Sequence, residues 1–256
     1  MRAAARFLLL WGAAAVGAEL PPDGERWPAV RESLFGARAL REDDGARLTL
    51  NLPARAHDAA TVPLAIEARA LPGEAALRRL YLVVDKNPSP VGAVFEFGDG
   101  RRRVALETRI RIEDYTWVRL IAEQADGTLH VTRHYIKAAG GCSAPAGKSL
   151  AERMAGVGEM RWRLRDTMAQ LQIRHPNNSG LAMDQLTRLY DPPYFVRDVT
   201  VTLDGQTVFS ARVDFTISEN PSFRFSLPEG AGGELRAVVV DTDERVFESA
   251  VAVTAQ

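Results

Sequence analysis

Short runs of alternating and β-branched residues, broken at close intervals by turn residues, leave this chain few ways to fold. In the first half they cover residues 61–70, 80–85, 93–97, 104–112, 117–123 and 129–136. The breaks between them are Leu71-Pro72-Gly73, Asn87-Pro88, Gly98-Asp99-Gly100 and Asp126-Gly127. Strands this short, with no long helical period between them, predict an antiparallel sandwich. The second half repeats the pattern over 196–203, 207–217, 222–227, 235–242 and 246–253, and Asp204-Gly205 between the first two is a hairpin signal. Each half also has an Asn-Pro-Ser before a strand, Asn87-Pro88-Ser89 and Asn220-Pro221-Ser222. Asn-Pro initiates a turn and keeps its neighbour out of the helical region, and its recurrence supports two related sandwiches.

Between the halves the composition changes. Residues 137–148 read Lys-Ala-Ala-Gly-Gly-Cys-Ser-Ala-Pro-Ala-Gly-Lys, almost without bulky side chains. Such a segment buries little apolar surface and is expected to be mobile. Residues 149–166 look loosely helical, with Ser149 and Glu152 placed as a capping box and Gly156 and Gly158 limiting the helix to a turn or two. The resulting division is a first sandwich over 19–136, an arm and linker over 137–162, and a second sandwich over 163–256.

The chain has 256 residues, 46% hydrophobic and 25% charged, which excludes a disordered chain, a collagen-like repeat and a polytopic membrane protein. Its 32 Lys+Arg against 33 Asp+Glu argue against a nucleic-acid partner. Arg2 and Arg6, the apolar run 7–16 and the small residues Val16-Gly17-Ala18 form the three-part pattern of a signal peptide over residues 1–18. The apolar run is short for a membrane span, and no twin-arginine pair precedes it, so Sec-type export to the periplasm is expected, with no membrane attachment after cleavage.

Export sharpens the meaning of the single cysteine. In an oxidising compartment cysteines are normally paired, and Cys142 has no partner in the chain. It therefore serves an intermolecular bond, such as a disulfide-linked dimer, or is kept for its chemistry. Gly140 and Gly141 give the backbone before it unusual freedom and no side chains to obstruct an approaching protein. A catalytic nucleophile needs the opposite, a rigid seat beside a base and an oxyanion stabiliser. A thiol at Cys142, on an arm made flexible by Gly140 and Gly141, can enter a narrow cleft in a partner protein and exchange or be activated there. No catalytic residue, metal ligand or cofactor is assigned. A buried cysteine acting as a small hydrophobe is the structural alternative, but its Ala, Gly, Ser and Pro neighbours offer no core.

Other groupings are weaker. His130 and His134 share a strand face at roughly 13 Å by a rise of about 3.3 Å per residue, too far to bind one metal, and are expected to be exposed or loosely bonded. His57 lies in a polar loop and His175, before Pro176, in a turn the fold could bring near the arm; a copper or zinc site is not expected. Gly98-Asp99-Gly100 reads as a hairpin tip rather than a phosphate loop, since no helix follows it. Asp191-Pro192-Pro193-Tyr194 reads as a turn before a strand.

Several of these residues carry a family resemblance. Lys86-Asn87-Pro88, Thr108-Arg109-Ile110-Arg111 and the closing Gly140-Gly141-Cys142 resemble SoxY, the sulfur-carrying subunit of the bacterial thiosulfate-oxidising system. Arg174-His175-Pro176 with Gly180, and Ile217-Ser218-Glu219-Asn220-Pro221, are similar to SoxZ. The resemblance implies two immunoglobulin-like β-sandwich domains joined by a Cys-bearing flexible linker, and a sulfur-containing or related cargo on Cys142. SoxY ends in Gly-Gly-Cys-Gly-Gly, whereas here Ser143-Ala144-Pro145 continues into a second domain. The chain thus looks more like the fused SoxYZ-like carriers associated with quinoprotein (PQQ) alcohol dehydrogenases in methylotrophic bacteria. The implied partners are periplasmic Sox-type enzymes or a quinoprotein dehydrogenase system. A different role, as a non-covalent accessory or chaperone of a quinoprotein dehydrogenase, would leave Cys142 dispensable. By this resemblance the glycosylation pattern Asn177-Asn178-Ser179 is a chance match.

Overall fold

A computed structural model describes residues 21–144, 149–183 and 188–254. The expected signal peptide, residues 1–18, lies outside the described residues, as does the 145–148 end of the linker.

The sequence expectation of an all-β protein built from two immunoglobulin-like sandwiches holds. The first half supplies β1 (Leu40–Glu42), β2 (Leu48–Asn51), β3 (Val62–Arg69), β4 (Leu77–Val84), β5 (Val91–Phe97), β6 (Arg103–Ile110), β7 (Thr116–Gln124) and β8 (Leu129–Ile136). The second supplies β9 (Met160–Arg165), β10 (Met168–Ile173), β11 (Val196–Leu203), β12 (Gln206–Val213), β13 (Ser222–Ser226), β14 (Gly233–Asp241) and β15 (Val246–Val253). The two sandwiches are not separate bodies packed face to face. They join edge to edge, so both layers run through the whole molecule. One sheet has the order β1-β8-β7-β4-β5-β12-β11-β14-β15 and the other β2-β3-β6-β13-β10-β9.

Two antiparallel strand pairs make the join. In the first sheet β5 pairs with β12, from Phe97 opposite Phe209 to Ala93 opposite Val213. In the second β6 pairs with β13 at Leu106–Phe225 and Glu107–Arg224. Because side chains alternate across a strand, these registers send Phe95, Phe209, Phe223 and Phe225 into the space between the layers. Their rings meet edge-on, with centroids 6.2 Å apart for Phe95–Phe209 and 5.0 Å for Phe209–Phe225. Each buried Phe contributes about 1.5–3 kcal/mol of transfer free energy. The seam is therefore part of one continuous core that takes residues from both halves. At one hairpin tip a Cβ on Gly98 would lie 2.3 Å from the Thr207 carbonyl oxygen, so glycine is what lets the second half approach there.

Helix α1 (Trp27–Phe35) has no counterpart in the sequence reading. It buries Trp27 and Phe35 against Tyr81, Val83, Ile121, Leu129 and Val131 on the outer face of the first sheet. That cover explains why β7 is buried at every position rather than alternating, since a strand covered on both faces reads as one apolar run. Within this layer Arg119 stacks 4.2 Å from the Trp27 ring and pairs with Asp85, Nη2 to Oδ2 at 2.7 Å.

Residues 149–166 depart from expectation. The capping box is present, with the Glu152 amide donating to Ser149 Oγ, but helix α2 spans only Leu150–Met154. From Met160 the chain is already strand β9, whose alternating burial turns Met160, Trp162 and Leu164 inward and the arginines outward. Its period is two, and Gly156 and Gly158, both at positive φ, end the helical stretch first.

Candidate functional site

The site lies at one end of the seam, where the segment after β6 meets the turn between β12 and β13. Asn87, read from sequence as a turn initiator, is fully buried and fastens that segment. Its Nδ2 donates to the Arg111 carbonyl at 2.9 Å and to Thr216 Oγ1 at 3.2 Å, while its Oδ1 accepts the Glu113 amide at 2.9 Å. One side chain thereby fixes residues 111 and 113 and ties them to the second half.

The arm lies along this fixed segment. The Gly140 amide donates to the Glu113 carbonyl at 2.8 Å and the Gly141 amide to the Ile112 carbonyl at 2.9 Å. The Glu113 carboxylate then takes the next donors, the Cys142 amide at 2.8 Å, the Ser143 amide at 3.2 Å and the Ser143 hydroxyl at 2.8 Å. From the second half the Ser179 hydroxyl donates to the Cys142 carbonyl. Gly141 fits only because it lacks a side chain, since a Cβ would stand 2.0 Å from the Ala59 carbonyl oxygen. Gly140 takes φ +79, in the left-handed region open to glycine.

This overturns the expectation that Cys142 stands exposed on a mobile segment. Cys142 is 2% exposed, and burial, reinforced by the neighbouring Glu113 carboxylate, pushes its thiol up to about 12. Arg111 opposes that shift without cancelling it. At pH 7 a thiol at that value is ionised in about one molecule in 10⁵, against about 3% for a free cysteine. The physical reason lies in the small residues around it. They bury little surface of their own, but they let the backbone enter a narrow gap, and Glu113 supplies the acceptors the incoming amides need.

The other residues singled out from sequence are held in contacts of their own. His175 is sealed in the second half, its Nδ1 accepting the Asn177 amide at 3.1 Å, its Nε2 3.7 Å from Asp241 Oδ2 and its ring against Tyr194. Burial pushes it down to about 4, so it is neutral at pH 7. Asn177 is wholly buried, which closes the glycosylation pattern to any enzyme; it holds the Ile217 carbonyl and the Val196 amide, each at 2.9 Å. In the Asp191–Tyr194 turn, Asp191 pairs with Arg153 and the Tyr194 hydroxyl donates to Asp241 at 2.7 Å. His130 is buried rather than exposed, and burial lowers the pKa of both His130 and His134. Among the described residues no group of three His, Cys, Asp or Glu is placed to hold a metal ion.

Glu113, Asn87, Arg111 and Ser179 are the residues sequence reasoning missed as parts of one site. Together they make a closed seat for an arm whose sulfur faces inward across a boundary between two domains.

Residues 31–142 match the family model described as Sulfur oxidation protein SoxY, a match that ends on Cys142, and residues 163–252 match that described as Sulphur oxidation protein SoxZ. The chain is thus a tandem of two sulfur-oxidation domains. It belongs with the fused SoxYZ-like proteins. No curated protein matches it. Among solved structures, it overlaps a β-glycosidase from Bacteroides vulgatus at 9% identity and a TM-score of 0.25, covering 80% of this chain and 24% of that one. The chain thus spans about a quarter of that enzyme's length, and neither fold nor function is read across from it.

Proposed function

We propose that this protein is a periplasmic covalent carrier, without catalysis of its own, that holds a sulfur-containing intermediate on Cys142 and presents it to partner enzymes. The observation that carries the reading is the SoxY match ending on Cys142, at a position where the chain's only cysteine is seated by hydrogen bonds at the seam with the SoxZ domain. The signal-peptide pattern of residues 1–18 supports export, and no helix among the described residues is long and apolar enough to cross a membrane. The partners are enzymes of the sulfur-oxidation system, or a quinoprotein dehydrogenase system in view of the Ser143-Ala144-Pro145 continuation.

A sealed thiol is a resting state in this account. To accept or deliver cargo the arm must leave its seat, and the contacts that hold it are few and concentrated on Glu113. Gly140 and Gly141 then have two duties, fitting the seat when the arm is in and freeing the backbone when it is out. The closed seat also keeps two copies from joining through Cys142 until the arm opens.

The burial of Cys142 favours one rival reading, a non-covalent accessory of a quinoprotein dehydrogenase in which the cysteine is structural. Mass spectrometry of the Cys142 peptide, from protein isolated out of cells oxidising their sulfur substrate, tests the carrier reading. It expects a sulfur-containing mass increment that a reductant removes. A bare thiol throughout would contradict it.

A further inference from the structure

We infer that strand β9 is a docking edge that takes an extended acidic segment of a partner protein as an added strand. Cys142 has no part in this contact, so it does not depend on what the arm carries.

Strand β9 ends the six-stranded sheet, with β10 on one side and no strand on the other among the described residues. Backbone bonding alternates along an antiparallel pair, so only every second residue of an edge strand bonds its neighbour. The Arg174 amide donates to the Glu159 carbonyl at 2.8 Å, which sets the phase. The backbone groups of Arg161, Arg163 and Arg165, opposite Gln172, Gln170 and Met168, therefore bond to β10. Those of Met160, Trp162 and Leu164 face outward and have no partner among the described residues. Such a row of unpaired donors and acceptors is a template for another strand.

The side chains decide which strand can use it. Met160, Trp162 and Leu164 turn toward the core, while Arg161, Arg163 and Arg165 stand exposed in a row on the outer face. None of the three guanidiniums makes a hydrogen bond or an ion pair among the described residues. On that face β10 offers only Gln172, Gln170 and Met168, and on β13 Arg224 is already paired with Glu107, Nη1 to Oε1 at 2.6 Å. Glu159 and Asp166 flank the strand, and neither pairs with the row. In a chain of formal charge −1 this is a local cationic excess.

Charge on an edge strand is a common guard against unwanted pairing. A second copy of β9 would set arginine against arginine across the new pair, which is destabilising. The same row favours a strand with Glu or Asp at alternate positions, since each carboxylate would lie across from an arginine on one face. A membrane or a nucleic acid could meet the charges but not the backbone groups, so a polypeptide is the ligand this edge fits. Strand β15, the neighbouring edge of the other layer, is tied to β9 by Trp162 Nε1 donating to Ser249 Oγ at 3.1 Å. Its outward row of Val246, Glu248, Ala250 and Ala252 carries no comparable charge pattern.

The test is a titration of the wild-type protein, followed by its amide NMR signals, with two short peptides of one composition. One alternates Glu with Val; the other gathers the same Glu residues at one end. The alternating peptide is expected to bind about ten-fold more tightly and to slow hydrogen exchange at the Met160, Trp162 and Leu164 amides. Arg163→Gln should weaken it by about two- to five-fold, and Arg161→Gln, Arg163→Gln and Arg165→Gln together by about ten-fold or more. Should the triple variant fail to fold, the comparison of the two peptides on wild type decides alone. Equal binding of the two peptides, no binding at about millimolar peptide, or binding that leaves those amides unprotected would overturn the proposal, and the arginines would be a guard only. Self-association that protects the same amides without peptide would assign the edge to a second copy and overturn it equally.

Discussion

Cys142→Ser is expected to reduce substrate-driven turnover of the partner enzymes to background while the fold remains. The side chain sits in a seat assembled by the backbone and by Glu113, so exchanging sulfur for oxygen removes no hydrogen bond of the arm. Its cost is a hydroxyl placed where Cys142 is 2% exposed, about 1–3 kcal/mol if the hydroxyl finds no partner. Cys142→Ala avoids even that and serves as the companion variant. Both should unfold in a single transition close to wild type, followed by circular dichroism, and both should leave the reconstituted system inactive. If the protein were instead a non-covalent accessory, both variants would keep most of the partner's activity.

The second large effect belongs to Glu113→Ala. One carboxylate accepts from the Cys142 amide, the Ser143 amide and the Ser143 hydroxyl. A hydrogen bond to a charged group contributes about 1.5–3 kcal/mol net, and such bonds are not additive. Losing this set should shift the arm toward its open state by about 2–4 kcal/mol, which is about 30- to 1000-fold in thiol exposure. Labelling of Cys142 by a disulfide reagent at pH 7 should accelerate by that factor. The pH profile should change as well. Burial disfavours the thiolate, so the wild-type rate should climb about tenfold per pH unit well past the ordinary thiol value, toward about 12. In Glu113→Ala the rate should level off much nearer the ordinary range of about 8.5. An unchanged rate and profile would mean that Glu113 does not hold the arm.

How much of this was legible beforehand depends on how local each signal is. Strands β8, β11 and β15 fall where alternation and turn residues placed them, because a period of two and an Asp-Gly turn are encoded within a few residues. The tandem of sandwiches was legible for the same reason. The continuity of the sheets was not, since the pairing of Phe209 with Phe97 links strands far apart in sequence and leaves no local mark. Helix α1 was missed although Trp27, Val30, Leu34 and Phe35 follow a helical spacing, because nine residues carry too little of that period to stand out. At the site, Cys142 with its glycines was plain in the sequence, but its burial was not. That depends on Glu113, 29 residues away, and on Ser179, 37 residues away. Neither sits in a motif. Asn87 and Arg111 did sit in quoted motifs, but as marks of resemblance; their roles emerge only once β6 and the β12–β13 turn are side by side.

The central claim is that a sealed thiol works by leaving its seat together with its backbone. The most direct measurement compares, on one wild-type sample, the labelling rate of Cys142 with hydrogen exchange at the amides of Gly140, Gly141 and Cys142. Each of those amides donates a hydrogen bond in the closed seat. If the arm opens as a unit, the opening free energy from thiol labelling should agree with that from the three amides. Fast labelling while those amides stay protected would show the sulfur being reached with the arm still seated, and would contradict the account.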